Sequence, residues 1–392
     1  MSEPMLVVDS LSTTFSSPKG PIRAVEDVSL DLRRGETLGI VGESGSGKSV
    51  LSRSIMGLVP GYATRTGSIR YEGTEMLDAG PKELRKIWGA QMAMVFQDPM
   101  TALNPVQKIG AQITESIREH LDYSKTQRKE TAIALLRSVG IPEPERRLKQ
   151  YPHELSGGMR QRVVIAIALA CGPHLLFADE PTTALDVTVQ AQILDLLEAQ
   201  QAERNMAVIL VTHDLGVVAT RADQIAVMYG GRIVEQAPTR VLFRQMRHPY
   251  TEALLRSIPR LDLPSHTRLE AISGRPPDLL NPPQGCRFAA RCPHAQPQCV
   301  AEEPPLMEDS PGHFHRCWFP VGIASEQTTI DSVAAEAHVR HVGDDIARDS
   351  DVAGGGVAPG PAVDGRPPAA PASGKVPIAK DSNADTTPEE NA

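Results

Sequence analysis

The sequence predicts an α/β fold built on a parallel sheet, and three observations carry that prediction. The glycine-rich "GESGSGKS" at 42–49 directly follows the strand-like "TLGIV" and opens a helix-compatible stretch. Further along, the short apolar runs "PHLLFADE" and "MAVILVTHD" flank the helix-like "DVTVQAQILDLLEAQQAERN", and strand–helix–strand alternation of this kind implies parallel pairing. Between these two regions, about 106–150, apolar residues recur at helical spacing with charged faces, which reads as a helical insertion.

The individual elements follow in chain order. "MLVVDSLSTTF", "AVEDVSLDL" and "ETLGIVG" read as strands, punctuated by Gly35 and Gly42. In the insertion, Ser124 stands where an N-cap would start "KTQRKETAIALLRSVG", and Gly140 and Pro142 stop it. "IAVMYGGRIVEQ" predicts a hairpin turning on Gly230 and Gly231. The first domain is expected to occupy 1–245, with the helical insertion at about 98–160. A separate unit is expected over 246–320; from about 260 to 320 the chain is rich in proline and carries the cysteines, and regular elements are hard to assign there. In the tail, 321–392, the stretch "DVAGGGVAPGPAVDGRPPAAPASGK" is mostly Ala, Gly and Pro with almost no large apolar residue. Such a segment cannot bury enough surface to offset its ordering entropy, so disorder is expected. There is no convincing internal repeat.

Composition bounds the function classes. At 392 residues the chain is long enough for two folded units and a tail. Its longest apolar region, "VVIAIALACGPHLLFA", is broken by Gly172, Pro173 and His174, too short for a bilayer span. "MSEPMLVVDS" lacks the basic start and long apolar stretch of a secretory signal, so a reducing cytoplasm is expected and structural disulfides are not. A net charge of -8 argues against a broad nucleic-acid surface.

The chemistry-bearing motifs start with the glycine loop. Its Gly42, Ser44, Gly45, Ser46 and Gly47 can turn successive backbone N–H groups inward around phosphate oxygens. Lys48 offers a cation to the outer phosphates, and Ser49 can ligate magnesium. "LLFAD" is an apolar strand ending in Asp179, a carboxylate suited to magnesium, and the next residue, Glu180, points differently and can polarise an attacking water. No Asn-Lys-x-Asp base-reading motif is present, which favours ATP over GTP.

"LSGGMRQR" at 155–162 separates this chain from other phosphate-loop proteins. With "LGIVGESGSGKS" before it, "VFQDP" between, and "FADEPTTALD" and "VTHD" after, the chain resembles the ATP-binding subunit of ABC transporters over roughly residues 5–260. The resemblance implies a P-loop ABC-type ATPase domain with a mixed-sheet core, an antiparallel β subdomain and a helical subdomain. It implies MgATP as ligand and a role for each motif. Phe15 would stack on adenine, although an ordinary core aromatic is the competing reading. Gln97 would give an oxygen to magnesium or water and sense the membrane subunits. Ser156, Gly157 and Gly158 would receive the γ-phosphate held by an opposite subunit. His213 would donate to the same phosphate, and Asp186 would link the two sites. Met159 departs from the Gln usual in this signature, while the phosphate-contacting Ser and glycines are intact, so hydrolysis is expected to survive.

The C-terminal cysteines extend the resemblance. "HPYTEALLRSIPRLD" and "GRPPDLLNPPQGCRFAARCPHAQPQC" resemble the extension of the oligopeptide and dipeptide importer branch, whose relatives include nickel and glutathione importers. Cys286, Cys292, Cys299 and Cys317 form a C-x5-C-x6-C-x17-C pattern that suits tetrahedral zinc, a [4Fe-4S] cluster or no metal. His294, His313 and His315 lie near enough in sequence to substitute as zinc ligands. The resemblance implies the [4Fe-4S] cluster, in a structural role. Cys171, at the end of an apolar helix, is expected to be a buried thiol. The branch further implies an ATPase for peptide import, working with a second homologous ATPase subunit, two membrane permeases and an extracytoplasmic peptide-binding protein. It would sit peripherally on the cytoplasmic face of the membrane, with no nucleic acid. Rival readings are another cargo (nickel, glutathione, a peptide antibiotic), a soluble ABC ATPase, or a non-hydrolysing ATP-dependent assembly module.

Overall fold

The computed structural model describes residues 3–183, 185–258 and 272–322. The tail expected to be disordered lies outside the described residues apart from Val321 and Gly322. The chain starts with a long antiparallel pair, β1 (Leu6–Ser17) and β2 (Gly20–Leu32), in register from Leu6↔Leu32 to Ser17↔Gly20. β3 (Thr37–Val41) leads through the glycine loop into α1 (Lys48–Met56). β4 (Ala63–Tyr71) then returns to pair with β1, and the two-residue β5 (Thr74–Glu75) closes a four-stranded antiparallel sheet of order β2-β1-β4-β5. α2 (Pro81–Ile87), opened by Pro81, connects to β6 (Met92–Val95).

The helical insertion contains α3 (Pro99–Ala102), α4 (Ile109–His120), α5 (Lys125–Ser138), α6 (Pro144–Arg147) and α7 (Gly157–Ala168). The start of α5 matches the sequence signal. Ser124 Oγ accepts the Gln127 N–H at 3.3 Å while Gln127 Oε1 accepts the Ser124 N–H at 2.9 Å, so two otherwise orphaned donors are satisfied reciprocally. Gly140, at φ 72°, turns the chain after it.

β7 (Leu175–Asp179), α8 (Val187–Arg204), β8 (Ala207–Thr212), α9 (Leu215–Arg221), β9 (Gln224–Tyr229) and β10 (Arg232–Pro238) follow. The β9–β10 hairpin turns on Gly230 and Gly231, both at positive φ (54° and 87°), which a two-residue turn of this hand requires. α10 (Thr239–Arg244) and α11 (Pro249–Arg256) lead to the cysteine segment, where α12 (Pro297–Ala301) precedes a small hairpin, β11 (Met307–Ser310) and β12 (His313–His315). The segment that offered no readable elements therefore joins the main sheet, with Glu235↔His315 and Gln236↔Phe314 pairing β10 to β12. "MEDS" and "HFH" are too short and too polar to carry strand alternation, and their pairing edge lies some 80 residues upstream.

The second sheet has eight strands in the order β11-β12-β10-β9-β3-β8-β7-β6, parallel from β9 to β6 and antiparallel beyond β9. Period-2 alternation splits its side chains between two cores. Ile40, Met94, Phe177 and Ile209 face the antiparallel sheet and α1, whereas Val41, Val95, Leu176 and Leu210 face α8 and the insertion, α7 included. Burying a side chain such as Phe177 or Ile209, both wholly inaccessible, contributes roughly 2 kcal/mol each. The parallel strands β3, β6, β7 and β8 end together, with Val41 opposite Thr212, Asp179 opposite Val211 and Val95 opposite Ala178. Their C-terminal ends put the glycine loop, Gln97, Asp179–Glu180 and His213 on one edge, the usual ligand edge of such sheets.

Candidate functional site

The glycine loop adopts a conformation that only glycine allows at its critical turn. Gly47 sits at φ 104°, and a Cβ there would run into the Ala24 carbonyl; a Cβ on Gly42 would meet the Met228 carbonyl. Gly45 differs: at φ 80° it has nothing within 4 Å of where a Cβ would stand. Ser44 and Gly45 face solvent, Ser46 is buried with its Oγ unpartnered among the described residues, and α1 begins at Lys48 with no side-chain cap. First-turn N–H groups are thus left to an anion. The Lys48 ammonium, 4% exposed, donates to the Gly42 carbonyl at 2.7 Å and the Glu43 carbonyl at 3.1 Å. Burial pushes its pKa down, and Glu180, Asp179 and Glu43 pull it back up.

A corner of oxygen atoms lies alongside. Ser49 Oγ donates to Asp179 Oδ1 at 2.8 Å, while Asp179 Oδ2 is buried without a partner among the described residues. Burial pushes the Asp179 pKa up, against the Ser49 hydrogen bond and the charges of Arg53 and Lys48. A hydroxyl beside a buried carboxylate oxygen that lacks a partner is the hard-oxygen donor set magnesium takes, so these residues fit the ion.

Glu180 gathers Gln97, His213 and Lys48. Its Oε2 accepts from Gln97 Nε2 at 2.8 Å and from Thr183 Oγ1 at 2.9 Å, and lies 3.6 Å from His213 Nδ1. Its Oε1 lies 4.0 Å from Lys48 Nζ. The backbone of Glu180 is held at φ 46°, left-handed for a non-glycine residue, at a cost of about 1 kcal/mol. That turn, pinned by the Glu180 N–H to Val211 carbonyl bond at 2.9 Å, swings Glu180 away from the path of buried Asp179. A carboxylate so placed can accept a proton from water at a phosphate held by Lys48. Thr183 escaped the sequence reading, although it stands only three residues after Glu180.

The other predicted residues stand apart from this cluster. Ser156 and Gly157 are exposed at the start of α7, where Ser156 Oγ accepts the Met159 N–H at 3.4 Å. Among the described residues no hydrogen bond joins 156–158 to the glycine loop. Gly158 has a packing reason of its own, since a Cβ there would come 2.8 Å from Val189 Cγ1 of α8. Asp186 caps α8 by accepting the Val189 N–H at 2.9 Å. Phe15, half-buried on β1, meets Tyr62 with ring centroids 6.0 Å apart and planes tilted by 56°. Tyr62 is 62% exposed and was not singled out in the sequence, where nothing but its aromatic character marks it.

All five cysteines are free thiols. Cys286, Cys292, Cys299 and Cys317 line one small pocket together with His248, His294, Phe288 and Trp318. Burial pushes Cys286 up to about 11 and Cys317 up to about 12, the neighbouring thiols adding to the effect. Of the three histidines considered as zinc ligands, His294 lines this cavity; His313 is bound through Nε2 to Glu235 at 2.8 Å, and His315 is not among the lining residues. Among the described residues no three His, Cys, Asp or Glu side chains are gathered as the ligands of a single metal ion. Cys171 is half-buried rather than fully buried, its Sγ 3.5 Å from the Ser116 carbonyl, because the chain leaves α7 at the rim of the core.

Residues 25–183 match the family model described as ABC transporter, and residues 234–299 match that described as oligopeptide/dipeptide transporter, C-terminal region. The dipeptide transport ATP-binding protein DppD of Bacillus subtilis is 50% identical over 318 residues, which is 81% of this chain and 95% of that protein. The chain belongs to the ABC transporter ATP-binding subunits. The oligopeptide transport ATP-binding protein OppD of Escherichia coli is 49% identical over 320 residues, 82% of this chain and 94% of the relative. In three dimensions, the dimeric ATP-binding cassette MJ0796 in a post-hydrolysis state with ADP and Pi superposes with a TM-score of 0.55 at 30% identity, covering 60% of this chain and 99% of that one. The chain is accordingly an ABC-type ATPase with the mixed α/β fold of that family.

Proposed function

We propose that this ABC ATPase energises the import of dipeptides and oligopeptides. The observation that carries the reading is the cluster on one sheet edge, where Lys48, Ser49, Asp179, Glu180, Gln97 and His213 surround a glycine loop. In the proposed cycle the loop and Lys48 hold the triphosphate, Ser49 and Asp179 would hold magnesium with Gln97 as a further oxygen donor, the ion neutralising phosphate charge, and Glu180 accepts a proton from the attacking water, with His213 steadying the γ-phosphate. Phe15, with Tyr62 beside it, supports adenine. The exposed Ser156–Gly157 start of α7 can offer its hydroxyl and N–H groups to a phosphate outside this chain, which supports a pair of subunits in which each supplies this segment to the other's nucleotide, with Asp186 at the junction.

The cargo assignment draws on the C-terminal match and on relatives named for dipeptide and oligopeptide transport. The proposed partners are a second homologous ATPase subunit, two permeases and an extracytoplasmic peptide-binding protein. Peripheral attachment to the cytoplasmic face accords with the described residues, none of whose helices is long and apolar enough to cross a membrane. Reconstituted with those partners, the chain is expected to hydrolyse ATP faster when peptide is present. Stimulation by nickel or glutathione alone would instead assign it another cargo. For the cysteine cavity we propose a [4Fe-4S] cluster held by Cys286, Cys292, Cys299 and Cys317, with zinc as the alternative. The four thiols lining one pocket support a group bound by four cysteines. Anaerobic purification with iron, sulfide and zinc analysis tests it: stoichiometric zinc without iron overturns the cluster.

A further inference from the structure

Three arginines flank the cysteines and reach from the extension into the nucleotide domain. Arg287, next to Cys286, donates to Glu26 Oε2 on β2 at 2.6 Å and to the Gly230 carbonyl. Arg316, next to Cys317, donates to Asp27 Oδ2 at 2.6 Å. Arg291, next to Cys292, forks onto Glu43, with Nη1 to Oε2 at 2.6 Å and Nη2 to Oε1 at 2.9 Å. Glu43 is the second residue of the phosphate-binding loop.

Arg291 is firmly held in that pose. Its side chain is 3% exposed, and it also donates to the Ser273 carbonyl at 2.9 Å, the Ile272 carbonyl at 3.0 Å and the Tyr229 hydroxyl at 3.2 Å. The backbone of Glu43 is gripped from the same side, because the buried Tyr250 hydroxyl accepts its N–H at 2.8 Å. Both the carboxylate and the N–H of this loop residue are therefore fixed by groups that follow residue 245. A carboxylate inside a phosphate-binding loop opposes the nucleotide it serves unless it is neutralised, and a bidentate guanidinium both neutralises and orients it.

We infer that the cysteine-bearing extension is a working part of the nucleotide site, in which Arg291 is a positioning residue that neutralises and orients Glu43 and so sets nucleotide affinity. This rests on the loop being the ATP site. The test is titration of the purified full-length chain with a fluorescent ATP analogue and magnesium, each variant being checked for a native thermal transition. Arg291→Ala weakens binding about tenfold, equivalent to ~1.4 kcal/mol, by leaving an unpaired carboxylate in the loop. The double variant Arg291→Ala/Glu43→Gln removes that charge and recovers to within about threefold of wild type, ~0.7 kcal/mol. A mere staple for the extension gives the opposite pattern, with the double variant no better than the single one. Should Arg291→Ala fail to fold, Arg291→Lys with and without Glu43→Gln makes the same comparison, since lysine cannot form the fork. The inference is overturned by a folded Arg291 variant that binds as wild type does, or by a double variant that shows no recovery. Lys48→Ala is the control for the underlying reading: wild-type binding in that variant removes the ATP site itself rather than the role of Arg291.

Discussion

Replacing Gly47 by alanine probes whether the phosphate loop depends on its backbone, and its magnitude follows from geometry. At φ 104° an L-residue is strained, by about 1–2 kcal/mol on the scale of left-handed penalties. The new Cβ also meets the Ala24 carbonyl of β2 and comes 2.9 Å from Met228 Cε, and such overpacking costs typically about 1–3 kcal/mol. The total, roughly 2–5 kcal/mol, has two outlets. If the loop keeps its shape, the folded state carries the strain and Tm falls by roughly 2–4 °C per kcal/mol for a domain of this class. If the loop relaxes, its N–H groups no longer converge and MgATP binding weakens, tenfold for every ~1.4 kcal/mol. Calorimetry and nucleotide titration on the same preparation read both. Gly45→Ala separates strain from collision, since φ there is 80° but nothing lies within 4 Å, so it retains only the first cost. A Gly47→Ala protein with unchanged Tm and affinity, or a Gly45→Ala protein equally damaged, would refute the reasoning.

Glu180→Gln keeps the side chain's shape and an oxygen for Gln97 and Thr183 but removes the charge; ATP turnover in the assembled transporter is expected to fall by about 10²–10⁴ while nucleotide binding persists, and phosphate release at wild-type rate would remove Glu180 from the role of base. His248 is buried and its pKa is pushed down to about 4, chiefly by desolvation, with Glu235 opposing and His315 adding to the shift. Between its unfolded value near 6.5 and about 4, the unfolded chain binds a proton that the folded one refuses, so this stabilisation is complete above the upper limit and declines as pH falls. The decline amounts to at most roughly 3 kcal/mol. Urea midpoints measured from pH 7 to 4.5 should therefore drop more steeply for wild type than for His248→Gln, and parallel curves would contradict it.

What the sequence disclosed was whatever the chain writes locally. The glycine loop, "LLFAD" and its Glu180, and the cap at Ser124 each depend on residues within a few positions, and each sits where expected. The convergence of Gln97, Glu180 and His213 was legible only through the family resemblance, since the parallel register that aligns their strands leaves no trace in any one of them. The extension was least legible. Arg291 and Glu43 stand 248 residues apart, and β12 finds its place only because β10 offers an edge. An arginine beside a cysteine carries no mark of the acid it will pair with.

The central claim is that ATP bound at this loop drives peptide entry. Uptake of labelled dipeptides, longer peptides, glutathione and nickel by cells lacking the chain, complemented with wild type or with Lys48→Ala, tests it most directly. Peptide uptake restored by wild type and not by Lys48→Ala is the expected result. Peptides entering equally in every strain, while another solute follows the wild-type copy, would contradict it.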